Sequence, residues 1–219
     1  MYLCINALTK SVKHGTKFII QKKRRYIRMT LKWNKQFEYP KSVRELINDK
    51  RHYAIGEEKL PSVTTILSAT QSQEKQDSLA KWKAKVGENE AERVKNVAGA
   101  RGTKMHSILE GYIEGENVLD LTETGGEAHR MANTIINEGF KDLNEIWGSE
   151  ATLAYPGLYA GATDLVGIYQ GRDSIIDFKQ SNKPKKAEWI EDYKLQALRM
   201  QPLMTTCLEL ILNKQSSDV

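Results

Sequence analysis

Residues 159–181 read YAGATDLVGIYQGRDSIIDFKQS. Two runs rich in β-branched and aromatic residues, 159–169 and 174–180, flank Gln170, Gly171, Arg172 and Asp173. That composition predicts an antiparallel hairpin. Closure near Gly171–Arg172 sets Asp164 opposite Lys179, and residue 177 opposite residue 166. Side chains alternate along a strand, so Asp177 and Lys179 share a face. Directly opposed residues also share one. Asp164, Asp177 and Lys179 are therefore predicted to converge on one side of the hairpin, with Ile176 and Phe178 turned to the core.

Outward from the hairpin, ATLAYP (151–156) continues the two-residue period and predicts a third strand beginning near Glu150. A helix is expected from about Gly126 to Trp147. Upstream, GARGT (99–103) reads as a glycine-bearing loop. KMHSILEGYI follows, with Met105, Ile108, Leu109 and Tyr112 at helical spacing. Residues 74–97 read as a charged helix in which Lys75, Lys81, Lys83 and Lys85 surround Trp82. Pro61 and Ser62 precede VTTIL in the manner of a capped helix start. Residues 35–60 read as short strands or an extended arm, and 186–200 as a helix with Trp189, Ile190 and Tyr193 on one side. The fold class is α/β, a mixed sheet with flanking helices.

Composition bounds the function. The chain has 219 residues, is 40% hydrophobic and 28% charged, and has a formal net charge of +5, all in keeping with a globular domain. The positive charge is not spread evenly. Residues 1–29 carry eight Lys/Arg and no acid, which leaves 25 basic against 28 acidic residues in the remainder. These 29 residues are expected to be a disordered or non-native tail, upstream sequence with Met29 as the working start; a tail that holds nucleic acid by phosphate contacts and an acid-free targeting peptide are the alternatives. No apolar run approaches the roughly 20 residues of a membrane span, so no membrane association is expected. Cys4 and Cys207 have no Cys or His at metal-finger spacing. A reducing, cytoplasmic setting is expected.

Two carboxylates and an ammonium at one point have a chemical use. Oxygen ligands hold Mg²⁺ or Mn²⁺, which polarises a phosphodiester and acidifies a bound water. A lysine beside it steadies charge developing on the phosphate. The same residues can also form an ordinary cross-strand ion pair on a solvated face. Three features favour the metal reading. Gly161 and Ala162 leave room beside Asp164. His106, in Gly102-Thr103-x-x-His106, can reach over the sheet as a ligand. Tyr193 and Gln196, at i and i+3, can point back at the site. His14, His52 and His129 are assigned to ordinary structural roles.

In order, LPSVTTILSAT (60–70), KWKAKVG (81–87), GTKMH (102–106), LYAGATDLVG (158–167), IIDFKQSNKPK (175–185) and YKLQ (193–196) resemble the RecB-like branch of the PD-(D/E)XK nucleases. Within it they resemble the mitochondrial genome maintenance exonucleases and bacteriophage exonuclease relatives. The resemblance spans about Phe37 to Gln196 and assigns residues 30–200 to the nuclease domain. It implies a restriction-endonuclease-like sheet and hydrolysis of DNA from single-stranded ends in DNA processing, recombination or repair. Replication or recombination proteins would be partners. It makes His106, Asp164 and Asp177 metal ligands together with the Phe178 carbonyl, and adds Glu150 as a further acid. Lys179 becomes the catalytic lysine and Gln196 an accessory glutamine. Ser62, Thr64, Thr65, Ser181 and Lys183 fall near the DNA path. The basic helix around Trp82 and Lys83 can hold the backbone and stack a base, or it can be a solvated helix face with one buried Trp. The main rival reading is a nuclease-fold module that binds single-stranded DNA without cutting; a second is a metal enzyme acting on RNA or on a non-nucleic phosphate ester.

The chain departs from the family pattern after Gln196. Arg199 stands where a tyrosine is expected, and residues 201–219 form a non-family tail. Read from the third base of each codon, residues 197–213 permit A-A-Y-A-A-A-H-D-D-V-F-G-T-D-I, which restores that tyrosine. The expectation is a frameshift after about Gln196 that removes or replaces a core strand, exposes a sheet edge and impairs activity.

Overall fold

The computed structural model describes residues 2–8, 31–35, 37–116, 118–181, 194–196, 198–200 and 202–203. In chain order the elements are β1 (Tyr2–Leu8), β2 (Val43–Ile47), β3 (Lys50–Ile55), β4 (Glu58–Pro61), α1 (Val63–Ala69), α2 (Gln73–Val86), α3 (Glu88–Glu114) and α4 (Glu123–Thr134). Three strands follow, β5 (Leu143–Tyr155), β6 (Tyr159–Tyr169) and β7 (Arg172–Ser181). The main sheet runs β1-β7-β6-β5, antiparallel except for the parallel β1–β7 pair, and β2-β3-β4 form a separate antiparallel meander. The fold is a mixed α/β domain compatible with a nuclease-like architecture.

Both faces of the main sheet are covered. Leu165 and Ile176 are paired neighbours that join Met105, Leu109, Met131, Ile135, Phe140 and Phe178 under α3 and α4. Val166 and Ile175, one residue along, face the other way and pack with Val63, Trp147, Leu153, Met200 and Leu203. Burial on two sides explains why β6 and β7 are apolar on both faces away from the site.

Three elements differ from their sequence prediction. GARGT is not a loop, because α3 runs unbroken for 27 residues through Gly99 and Gly102. The chain breaks earlier, at Gly87, whose φ of 85° separates α2 from α3. A Cβ at Gly102 would lie 2.7 Å from Gln180 Nε2, so this glycine serves a close helix–strand approach. The helix expected to reach Trp147 ends in a π turn at Ile135–Gly139 and a short 3₁₀ turn, and β5 begins at Leu143. Pairing of Leu143, Glu145 and Ile146 with the far end of β6 overrides the local helical pattern there.

The third difference concerns the sheet edge. No element was expected in residues 2–8, and loss of a strand beyond the DFK segment was expected to bare an edge. Instead β1 pairs along β7, from Tyr2 opposite Ile175 to Leu8 opposite Ser181, and covers it. The tail beyond Leu203 lies outside the described residues, whereas Met200 and Leu203 are buried in the core. No helix among the described residues is long and apolar enough to cross a membrane.

Candidate metal site

The β6–β7 hairpin closes through two residues, Gln170 and Gly171, both left-handed at φ 50° and 70°. This is the shape that matches strand twist in a tight hairpin. The tight loop shifts the register by two from the sequence expectation. Leu165 pairs with Ile176, which brings Asp177, not Lys179, across from Asp164. An even shift keeps every side chain on its face, so the convergence survives the correction.

Backbone pairing between the two strands runs from Tyr169–Arg172 to Leu165–Ile176, and side chains take over beyond it. Thr163 Oγ1 donates to the Ile176 carbonyl at 3.1 Å. The Asp164 carboxylate accepts the Phe178 amide through Oδ2. Its other oxygen lies 3.1 Å from His106 Nδ1, and His106 Nε2 lies 3.1 Å from the Phe178 carbonyl. His106 thus comes from α3, which covers the opposite sheet face, and meets Asp164 where the strands part. Lys179 Nζ sits 2.5 Å from Asp177 Oδ2.

Glu150 completes the arrangement. It lies in β5 between Ser149 and Ala151, which pair with Leu165 and Thr163, and so stands across from Asp164. Its φ of 48° is left-handed, unusual for a glutamate inside a strand. One donor atom each from His106, Glu150 and Asp164 lies within 4.8 Å of the others, a spacing suited to one shared cation.

The electrostatics follow from crowding. Burial raises the Glu150 pKa, and the Asp164 charge adds to the rise. Burial also raises Asp177, partly offset by Lys179 and reinforced by Asp164. For His106 burial acts downward, but the hydrogen bond and charge of Asp164 outweigh it and leave the imidazole above its ordinary value. Glu150, Asp164 and Asp177 crowd together against Lys179, His106 and a longer contact from Arg44 to Glu150, a site that a divalent cation would relieve.

A cavity of about 440 Å³ opens onto these groups. Ser62, Thr64 and Gln196 line it. Ser62 also caps α1, accepting the Thr65 amide at 3.0 Å. Thr65 instead donates its hydroxyl to the Arg51 carbonyl, and it does not line the cavity. Ser181 is buried at the end of β7, also away from the lining. Trp82 and Lys83 are exposed on α2, a helix with no buried residue, and the structure does not bring them to the cavity. Lys183 and Tyr193 fall outside the described residues. Gly161 and Ala162 both line the cavity beside Asp164, and a Cβ at Gly161 would meet Met200 Sδ at 2.5 Å and Val63 at 3.3 Å, so this glycine also serves a close approach of core side chains.

Sequence reasoning missed Arg44, Arg51 and Glu110, all of which line the cavity. Glu110 stands four residues after His106 in one helix, a spacing that puts both on one side and was readable. The arginines gave no such signal, because their strands belong to a separate sheet. Of the other histidines, His129 accepts the Asp120 amide at 3.2 Å and His52 contacts the Lys50 carbonyl, local structural roles in both cases.

Fold and site together define a mixed α/β domain of nuclease-like architecture built around a candidate divalent-metal centre. The chain is 33% identical over 134 residues to mitochondrial genome maintenance exonuclease 1 of Mus musculus. It is 26% identical over 131 residues to the Homo sapiens protein of that name. Each match covers 58% of this chain and 38% of the relative, so the chain spans well under half the length of these curated relatives. No protein-family model matches the chain.

Proposed function

We propose that this chain is a metal-dependent exonuclease that hydrolyses phosphodiester bonds of DNA from single-stranded ends. The observation that carries the reading is the grouping of His106, Glu150 and Asp164 donor atoms within 4.8 Å, beside the Lys179–Asp177 pair on one cavity. The similarity to two proteins named genome maintenance exonucleases supports the same class.

The donor set fits a hard divalent cation. Two carboxylates with one imidazole suit Mg²⁺ or Mn²⁺ better than a thiolate-seeking metal. His106, Glu150 and Asp164 would hold it, with Asp177 and the Phe178 carbonyl beside them. When bound, such an ion polarises a phosphoryl oxygen and acidifies water. Lys179 donates to the scissile phosphate and offsets the charge that grows there. Asp177 holds Lys179 in place. Gln196, half-buried on the lining, presents an amide to Lys179 or to the substrate. The Ser62 and Thr64 hydroxyls offer donors to a neighbouring phosphate oxygen. A role in DNA replication, recombination or repair belongs to this reading.

The test is release of nucleotides from end-labelled single-stranded DNA with and without Mg²⁺, with Asp177→Ala as the control. Mg²⁺-dependent release by the parent chain, lost in the variant while binding persists, is expected. Binding without release by the parent would make the chain a binding module. Release unaffected by Asp177→Ala would place the chemistry elsewhere.

A further inference from the structure

The meander carries two arginines that the hydrolytic site does not use. Arg44 pairs with Tyr53 across β2–β3, and Leu46 pairs with Arg51. Alternation puts Arg44, Arg51 and Tyr53 on one face of the meander. Tyr53 anchors that face: it is buried with Leu60 against Ala160 of β6, one side chain from the hydrolytic hairpin. Arg44 lies directly across from Tyr53 and Arg51 two residues before it, so the two arginines are diagonal neighbours of each other, and both line the cavity that holds His106, Asp164 and Lys179.

Their charges are available. The Arg44 guanidinium lies over the Tyr53 ring at 5.9 Å, which orients it without neutralising it. Among the described residues its ion-pair partner is Glu150, at 3.9 Å, a long and largely exposed contact that holds it weakly. Among the described residues no carboxylate forms an ion pair with Arg51. Its strand is held by its backbone instead, since the Arg51 carbonyl accepts the Ser62 amide and the Thr65 hydroxyl, both at 3.0 Å. Ser62 and Thr64 line the same cavity, so hydroxyl groups share it with the arginines and the acidic centre.

We infer that Arg44 and Arg51 form a phosphate-binding wall that grips the sugar–phosphate backbone next to the bond being cut. This rests on the hydrolytic reading and deepens it. The substrate is then a strand with phosphates flanking the scissile one, and not an isolated phosphate ester. Diagonal residues on neighbouring strands stand about 7–8 Å apart, close to the step between consecutive phosphates on an extended strand. Arginine is suited to this role because its planar fork donates to two phosphate oxygens at once.

The test is binding of a fluorescent single-stranded DNA oligonucleotide to the full chain in EDTA, where no cutting occurs, over a range of salt concentrations. Each phosphate contact on a single strand contributes about 0.7 to the slope of log affinity against log salt. Arg44→Gln and Arg51→Gln are each expected to reduce the slope by about that amount and to weaken binding roughly tenfold at low salt, with Arg51→Lys keeping most of the slope. Unchanged slopes in both glutamine variants would overturn the inference while leaving hydrolysis by the parent intact. A parent chain that neither binds the strand nor releases nucleotides in Mg²⁺ would overturn both. Thermal midpoints of the variants, expected to match the parent, separate lost contacts from lost structure.

Discussion

Glu150 stands across the β5–β6 ladder from Asp164 with its backbone in the left-handed region, at φ 48°. A glutamate takes that conformation at a cost of about 1 kcal/mol or more, and the return is a third donor within 4.8 Å of His106 and Asp164. Strain at this position and the proposed metal site are two sides of one arrangement. Glu150→Gly is expected to match or raise the stability of the parent, since glycine accepts φ > 0 freely, while weakening Mn²⁺ binding. Glu150→Gln is expected to weaken Mn²⁺ binding without the relief. Urea denaturation and calorimetric Mn²⁺ titration of both variants check this; unimpaired Mn²⁺ affinity in both would remove Glu150 from the site.

Lys179 touches Asp177 at 2.5 Å and faces the cavity. Lys179→Met keeps the length of the side chain and removes its charge. The variant is expected to lose roughly 10²–10³ in turnover, the range for removing a group that stabilises transition-state charge. Mn²⁺ affinity should hold or rise, because a competing cation has gone. A parallel fall in metal affinity and turnover would assign Lys179 to assembly of the site and not to the reaction.

Two glycines of α3 make opposite predictions. A Cβ at Gly99 meets nothing within 4 Å, whereas one at Gly102 comes 2.7 Å from Gln180 Nε2. Gln180 cannot move aside cheaply, because Arg101 Nε donates to its Oε1 at 2.7 Å and its amide donates to the Ala98 carbonyl. Gly99→Ala should stabilise by about 0.5–1 kcal/mol through helix propensity. Gly102→Ala should lose about 1–3 kcal/mol through overpacking. It should also reduce activity, since it displaces the helix that carries His106. Denaturation midpoints of the two variants decide; equal gains would mean that the α3–β7 contact yields easily.

Glu145 ties the chain ahead of the meander to β5. It accepts from Lys32 at 2.5 Å, Asn34 at 2.9 Å and Trp147 Nε1 at 2.9 Å. Those bonds, led by Lys32, lower its pKa from 4.5 to about 2. A group depressed in the folded state stabilises fully above its unfolded value, and that contribution disappears as pH falls through the folded one. The stability advantage of the parent over Glu145→Gln should therefore be constant above about pH 5 and vanish between about 4.5 and about 2. Urea midpoints across that range test it; a difference as large at pH 2 as at pH 5 would trace the effect to packing.

Much of the site was legible in the chain because it is local. Asp164, Asp177 and Lys179 lie within one hairpin, where the two-residue side-chain period fixes the shared face whatever the loop. The turn residues Gln170 and Gly171 announced the reversal, and Ser62 announced a helix start. The loop length was not legible to within two residues, and so Asp164 was set opposite Lys179 when the backbone brings it opposite Asp177.

What only the tertiary structure decided depends on contacts between distant segments. The unbroken passage of α3 through Gly99 and Gly102 follows from packing on Gln180, 78 residues beyond Gly102. The early start of β5 follows from pairing with the end of β6, and the covered edge of β7 from pairing with residues 2–8. Arg44 and Arg51 reach the cavity because Tyr53 seats the meander on Ala160. Local periodicity encodes which way a side chain points within its own element. Which elements meet is settled by burial and pairing energies summed over the whole fold, and those have no signature in any single window of sequence.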